Sequence, residues 1–486
     1  MFEMYFNSIK SFAQVYSVIF LTNIIFSALV VFFERKKPTS TLLWVMAINF
    51  LPIIGIILYL ILGQDISKSK MFEDKTKMDI DVKNEFKRQL EDIQDGEYVF
   101  SNPRTKEYKD IVEMFNMAEA EILYSCNEVK IYNNGPEKFK ELFQDLRKAR
   151  HTIYVQYYIF KSDNLSQEFI KILIDKAREG LKVYLLVDGM GARHLKYRDR
   201  RRIKEAGIEF AVFFPGILPK INSHINYRNH RKIAVIDKKI GYVGGLNVGD
   251  EYVGKGKFGN WRDSHLRIEG EAVNGLSWRF YLDFKFASSK DPTGFTTEIF
   301  EKKGNKDVAI VTSGPDTKAD SIRNGYEKFI TRATKEIYIQ TPYFVPDEGL
   351  FKCLKVASLS GVKVNVMFPE KKDHPFVHWA SLSYAGDLLK WGANVYMYRN
   401  GFLHTKVMIS DDYLSTVGTA NFDIRSFELN FEVNAFLFDY ELNKKLKEDF
   451  KRDLKDCLQI TEEMYKKRDV FTRIREQISR LLSPLL

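Results

Sequence analysis

Cysteine is scarce: Cys126, Cys353 and Cys457 stand far apart in a chain of 486 residues. An odd, dispersed set excludes a disulfide framework, and no Cys/His spacing typical of zinc accompanies it, which fits a reducing compartment. Charge is missing from two long stretches. Residues 11–33 (SFAQVYSVIFLTNIIFSALVVFF) carry none, and neither do residues 41–62 (TLLWVMAINFLPIIGIILYLIL). Each is long enough to cross roughly 30 Å of hydrocarbon as a helix. Between them ERKKPTS leaves room only for a tight turn, so the two read as a membrane hairpin. A cleaved leader would have a shorter apolar region and a small-residue cleavage site. Asn23 and Asn49 are expected to bond across the hairpin. Arg35, Lys36 and Lys37 in the turn are balanced against Lys10, Lys68, Lys70, Lys75 and Lys77, which favours a cytoplasmic side for the rest of the chain.

What is present in quantity is core material, 45% apolar and 14% aromatic, which excludes wholesale disorder. The length implies two or three domains. Net charge is +10, of which +2 falls in residues 1–63, leaving +8 for the soluble part. That excess suits anionic partners, nucleic acid or acidic lipid, without choosing between them.

The expected layout is a membrane block over 1–63, a polar linker over 64–110, and two copies of one plan over 111–290 and 305–486, joined near 284–306. IYVQYYIF (153–160) returns as IYIQTPYF (337–344), GLKVYLLVDG (180–189) as GVKVNVMFPE (361–370), and AGIEFAVF (206–213) as WGANVYMY (391–398). An amphipathic helix follows the first strand of each copy, and in the first copy Gly180 supplies its stop. Strand–helix–strand–helix, twice, predicts an α/β sandwich in each half.

The most informative repeat is HRKIAVIDKKIGYVGGLN (230–247), matched by HTKVMISDDYLSTVGTAN (404–421). Both read His-x-Lys-x4-Asp-x6-Gly-(Gly or Thr)-x-Asn. Residues two apart on a strand share a face, so His230 looks into the same space as Lys232, and His404 as Lys406. Two imidazoles and two ammonium groups converging on one cavity make a phosphodiester site. One neutral histidine attacks phosphorus; the other, protonated, serves the departing oxygen. Lys232 and Lys406 balance charge on the non-bridging oxygens, and Asn247 and Asn421 donate to them. Asp263 and Glu432 are expected to orient His230 and His404 respectively, each within its own half. Asp237 and Asp411 complete the catalytic motifs and are expected to hold the turn and lysine geometry.

These residues resemble the phospholipase D superfamily, and within it the bacterial cardiolipin synthases. The likeness extends to the hairpin, YVQYYIF, INYRNHRKIAVID, GGLNVGDEY, SGPD, QTPYFVPDEGL, GFLHTKVMISDD, NFDIRSFELNFEVNAFLFD and LLSPLL. It implies two pseudo-symmetric phospholipase D-type α/β domains around one active site, behind a two-helix transmembrane hairpin. It also implies a multi-pass enzyme of the bacterial cell membrane. Two phosphatidylglycerols would give cardiolipin and glycerol through a phosphatidyl-histidine, with no cofactor, metal or nucleic acid. The motif chemistry alone leaves open phosphatidylserine synthase, phospholipase D and a nuclease of the same superfamily. A non-catalytic scaffold would show a broken motif, and neither motif is broken.

Several residues carry plainer readings. His374 and His378 have a metal-like spacing, but Pro375 is expected to break the helix it would need. His151, His194, His224 and His265 read as ordinary, with His224 placed to line the mouth of the site. Arg198, Arg200, Arg201 and Arg202 read as a solvated helix face, and Tyr157, Tyr158 and Tyr343 as either core or substrate wall.

Overall fold

A computed structural model of the chain describes residues 2–33, 38–60, 80–119, 121–215, 226–290, 292, 303–317 and 319–483. The N-terminal helices form one compact unit; the body that begins at helix Ile80–Asp95 forms another.

In the N-terminal unit the run 11–33 lies within one helix, Phe2–Phe33. The second run is not the continuous span expected over 41–62. Helix Pro38–Phe50 ends, and a separate five-residue helix, Ile54–Leu58, comes after it. The break falls at Pro52, which has no N–H to donate and disfavours helical geometry in Leu51 before it. Ile53 takes φ of 69° there. Among the described residues no helix is both long and apolar enough to cross a membrane. Asn49 makes its predicted bond across the hairpin, donating to Ser27 Oγ at 2.9 Å. Asn23 is buried without a partner for its side-chain oxygen among the described residues. Apolar side chains such as Phe20, Leu21, Ile25 and Phe32 face outward.

The expected polar linker is largely structured from Ile80 on. Its helix and the turn Pro103–Tyr108 are tied down by Gln89, which donates to Leu123 O at 2.8 Å, and by Thr105, which donates to Asp307 at 2.7 Å. Ile111, Val112 and Phe115, on helix Lys109–Glu119, are buried in one core with Phe329, Ile337 and Phe436. That helix, first-half by sequence order, packs with the second half. The start of the expected connector, 284–288, closes helix Ala272–Ser288, while its stretch 293–302 lies outside the described residues.

The first half builds a mixed seven-stranded sheet; the second builds the same seven and adds an edge strand, Cys457–Ile460, antiparallel to Asn394–Tyr398. The first runs Glu209–Phe213, Lys182–Asp188, Thr152–Tyr157, Ile233–Ile236, Ile240–Gly244, Trp261–Glu269, Leu123–Asn134. The second repeats the order as Asn394–Tyr398, Lys363–Pro369, Glu336–Gln340, Val407–Ser410, Leu414–Gly418, Asn430–Phe438, Lys306–Ser313. The first three strands of each series are parallel, and the second and third are almost wholly buried, which is why those read as near-continuous apolar runs. Gly180 ends helix Asn164–Arg178 at φ of 93°, and Gly361 does the same after Glu348–Leu359 at 89°, a left-handed geometry that costs glycine little. The last strands, Leu123–Asn134 and Lys306–Ser313, pair antiparallel and join the two sheets.

Candidate active site

Two short parallel pairings between the halves set the site. Arg228–Asn229 lies beside Asn430–Phe431, and Phe402–Leu403 beside Trp261–Arg262. His230 N then donates to Phe431 O at 2.9 Å, and His404 N to Arg262 O at 2.7 Å. Each histidine therefore enters its sheet against the other half's carboxylate-bearing strand.

The carboxylates bond the histidines, but with partners exchanged. His230 Nδ1 is 2.8 and 3.0 Å from the two oxygens of Glu432, and His404 Nδ1 is 2.7 Å from Asp263 Oδ2. The expected pairing within each half is thus corrected, and the crossed strands are the reason. Thr419 Oγ1 donates to Glu432 at 2.5 Å, while Ser264 N donates to Asp263 at 2.8 Å. Gly245 stands where Thr419 stands in the other half. A Cβ there would come within 2.0 Å of Asp263 Oδ1, so the shorter carboxylate takes the space a side chain would fill.

Lys232 Nζ and Lys406 Nζ each donate to the carbonyl of the histidine two residues before, at 2.5 Å. Each ammonium also acts on the other half's imidazole, Lys406 on His230 and Lys232 on His404. Burial, followed by these two charges working against the carboxylate's pull, takes His230 down to about 4. Burial and Lys406 push His404 down as well. Burial brings Lys406 to about 8 and drives Lys232 well below its usual range. In the carboxylates burial acts upward, but the facing imidazole and lysine hold both below the ordinary value. Without substrate at neutral pH the site therefore holds neutral imidazoles on ionised carboxylates, each presenting Nε2 as its remaining nitrogen.

His230, His404, Asn247 and Asn421 all line one cavity of about 810 Å³. Both asparagines are engaged at its wall: Asn247 Oδ1 accepts from Ile159 N at 3.1 Å, and Asn421 Nδ2 donates to Asp423 at 3.2 Å. Asp237 and Asp411 are not in this cavity. Asp237 accepts the backbone N–H groups of Arg150, His151 and Thr152 at 2.7–2.9 Å, and Asp411 those of Thr334, Lys335 and Glu336 at 2.8–3.0 Å. They clamp the start of the neighbouring strand.

The tyrosine alternatives separate. Tyr157 is core, its hydroxyl accepting from buried Lys138 at 2.8 Å, whereas Tyr158 and Tyr343 line the cavity. The Tyr158 ring meets His230 edge-on at 5.0 Å. His194 and His374 line the cavity too, contrary to their plain readings, while His224 lies outside the described residues. Pro375 does not break a helix but opens one, Pro375–Leu389, with His374 as its cap residue. Arg200 is likewise not simply solvated, since it donates to Leu195 O and Ala192 O.

Sequence reasoning missed the cavity's two-sidedness. Arg228, Arg425 and Asn430 line the cavity, and both arginines act on Tyr158, whose ring meets His230. Burial, and next the Arg228 charge, depress the Arg425 guanidinium, so the two arginines feel each other. Around His404 stand aromatics, Trp261 at 5.2 Å and Phe402 at 6.2 Å between ring centres. Also missed was Arg231, fully buried, which grips Asp283 at 2.7 Å and donates to Glu432 O at 3.0 Å. The only signal was a charged residue between two motif positions, facing the opposite side of the strand.

The chain resembles known proteins over nearly its whole length. The profile described as "Cardiolipin synthase, PLD-like domain" matches residues 142–257 and 326–454, and that described as "Phospholipase_D-nuclease N-terminal" matches 22–64. The chain is 44% identical to the Major cardiolipin synthase ClsA of Bacillus subtilis, across 97% of this chain and 98% of that one. It is 46% identical to the cardiolipin synthase of Oceanobacillus iheyensis, across 96% and 98%. A crystal structure of phosphatidylserine synthase from Haemophilus influenzae superposes with a TM-score of 0.60 at 15% identity, over 78% of this chain and 100% of that one, a likeness of fold.

Proposed function

Because the chain belongs to the family of cardiolipin synthases built on phospholipase D-type domains, we propose that it joins two phosphatidylglycerols into cardiolipin and releases glycerol. It is a phosphatidyltransferase, membrane-associated, acting on phospholipid. The observation that carries the mechanism is the pair of histidines on one cavity, each with Nδ1 taken by a carboxylate from the opposite half.

His230 is the nucleophile in this reading, since its imidazole is held neutral down to about 4. Its Nε2 lone pair attacks phosphorus while the phosphorus–oxygen bond to glycerol breaks. His404 delivers the Nε2 proton to that oxygen. Burial and the neighbouring lysines disfavour its imidazolium, but a phosphodiester anion bound among the lysines offsets their charge and restores it. The second phosphatidylglycerol then gives its terminal hydroxyl proton to His404, its oxygen attacks phosphorus, and the phosphorus–nitrogen bond breaks. One phosphodiester replaces another, so the exchange needs no external energy source.

The acceptor brings a phosphate of its own. Arg228 and Arg425 line the cavity close enough to act on each other, so two cationic side chains converge where an anion could bind. We assign the acceptor's phosphate to them. Asn247 and Asn421 face the donor's non-bridging oxygens. The N-terminal helices hold the enzyme at the bilayer. Their outward apolar side chains and the uncharged runs support insertion as a hairpin, with the body on the cytoplasmic side. The two catalytic domains are proposed to close over 111–290 and 305–486, with helix Lys109–Glu119 lent to the second.

Reconstituted enzyme given radiolabelled phosphatidylglycerol should yield cardiolipin and glycerol in equal amounts. His230→Ala and His404→Ala should each abolish both. Phosphatidic acid as the only labelled product would make the protein a hydrolase instead.

A further inference from the structure

The helix Val470–Leu481 is built inside out. Its buried residues are polar, Glu476 and Ser479, with Glu476 2.8 Å from Arg468. Its apolar residues face solvent: Val470, Phe471, Ile474, Ile478 and Leu481 are each about half exposed or more, Phe471 at 75%. At 3.6 residues per turn these five fall within roughly 100° of the helix circumference, one unbroken stripe. Arg473 and Arg475, both exposed, flank it on either side, and Lys466 and Lys467 precede it.

The helix that bears the stripe packs against the cavity wall. The helix packs on Pro375–Leu389, whose first residues, Pro375, Phe376 and Val377, line the cavity. Phe376 is itself 54% exposed. Just past the helix, Ser483 lines the cavity too and meets the Tyr384 hydroxyl at 3.1 Å. An apolar stripe edged with arginine, on a helix packed against the cavity wall, has the chemistry of an interfacial helix in an anionic leaflet.

We propose that Val470–Leu481 beds in the headgroup–acyl boundary of an anionic leaflet and sets the cavity mouth at the depth where a phospholipid can slide in sideways. The proposal rests on the substrate being a membrane lipid, as argued above. Phosphate groups would meet Arg473, Arg475, Lys466 and Lys467 while the five apolar side chains enter the acyl boundary.

The test uses the full chain reconstituted in phosphatidylcholine vesicles containing phosphatidylglycerol. An indole introduced by Ile474→Trp, read as the difference from the unsubstituted chain, should be quenched by lipids brominated on their acyl chains and shielded from aqueous acrylamide. Quenching by acrylamide alone would overturn the proposal. So would insensitivity to both together with a cross-linked dimer, which would mean that a second copy covers the stripe. In parallel, Phe471→Ser with Ile478→Ser should lower cardiolipin formation from vesicles by about tenfold. Transfer from monomeric short-chain phosphatidylglycerol should be unchanged. Equal loss on both substrates would make the helix merely structural and overturn the proposal. An introduced indole quenched by bromolipid, in a protein that makes cardiolipin from neither substrate, would leave the docking surface standing and remove the assigned reaction.

Discussion

Four residues after the motif asparagine, the first half has Glu251 and the second has Arg425; two residues before the motif histidine, the first has Arg228 and the second Phe402. Seven strands of the two sheets correspond in order, with Cys457–Ile460 added to the second, yet the walls they present to the cavity differ. Duplication supplied a frame that brings two histidines together, and the reaction needs them in different roles. In the proposed reading Arg228 and Arg425 hold an anion, while Trp261 and Phe402 flank His404, the proton donor. The buried supports diverge in the same way. Arg231 on the first histidine strand bonds Asp283 and the Glu432 carbonyl, whereas its counterpart Thr405 reaches only to Ser264, at 2.5 Å.

Substitutions that treat the two halves unequally test this comparison. The largest effect is expected at the crossed carboxylates. Glu432→Gln and Asp263→Asn should each cut turnover by about 100- to 10,000-fold, by leaving an imidazole in the wrong tautomer. In histidine-labelled enzyme, Glu432→Gln should remove the Nδ1–H resonance of His230 and leave that of His404. The reverse result would restore pairing within each half.

Gly245→Ala puts a Cβ against Asp263, and should lower kcat by about 100-fold with little change in KM, since the displaced carboxylate misaims His404. Thr419→Ala removes a single hydrogen bond to Glu432, and should cost nearer tenfold. Steady-state kinetics on both variants checks the order, which a symmetric site would not show.

Much of this site was legible in the sequence because it lies in short fixed spacings. The two motifs, the repeated strands and the candidate carboxylates Asp263 and Glu432 could all be read from the chain. Their exchange could not. Linear distance favours pairing within a half, and the pairings that cross are only two residues long, too short to leave a periodic pattern. The docking of Lys109–Glu119 onto the second half was hidden for a related reason, since an amphipathic helix shows which face it buries but not against what. The interruption at Pro52 was visible in the letters and was outweighed by the length of the uncharged run. His194 and His374 reach the cavity from the 3-10 turn Gly191–His194 and from the cap of helix Pro375–Leu389, placements that no local signal sets.

Smaller effects concern the charged wall. Arg425→Gln should raise the KM for phosphatidylglycerol about tenfold and let more phosphatidic acid form as water competes with a poorly held acceptor, whereas Glu251→Gln, whose carboxylate already faces Lys161 at 2.7 Å, should change KM less than about twofold. Product analysis separates the two.

The smallest is a pH effect. Lys406 carries its proton below about 8 and loses it as pH rises past that value, so phosphate binding weakens on the alkaline side. KM should climb a few-fold between roughly pH 7.5 and 9. Lys406→Arg, which keeps its charge, should flatten that climb even where it lowers kcat.

The account turns on each histidine offering one nitrogen, Nε2, to a shared phosphorus. Phosphohistidine is labile in acid, so the intermediate would be trapped by rapid quench at alkaline pH from phosphorus-labelled phosphatidylglycerol, digested, and its linkage read by mass spectrometry and NMR. The predicted result is label on His230 through Nε2, lost in His230→Ala. Label through Nδ1, or on neither motif histidine, would contradict the crossed site.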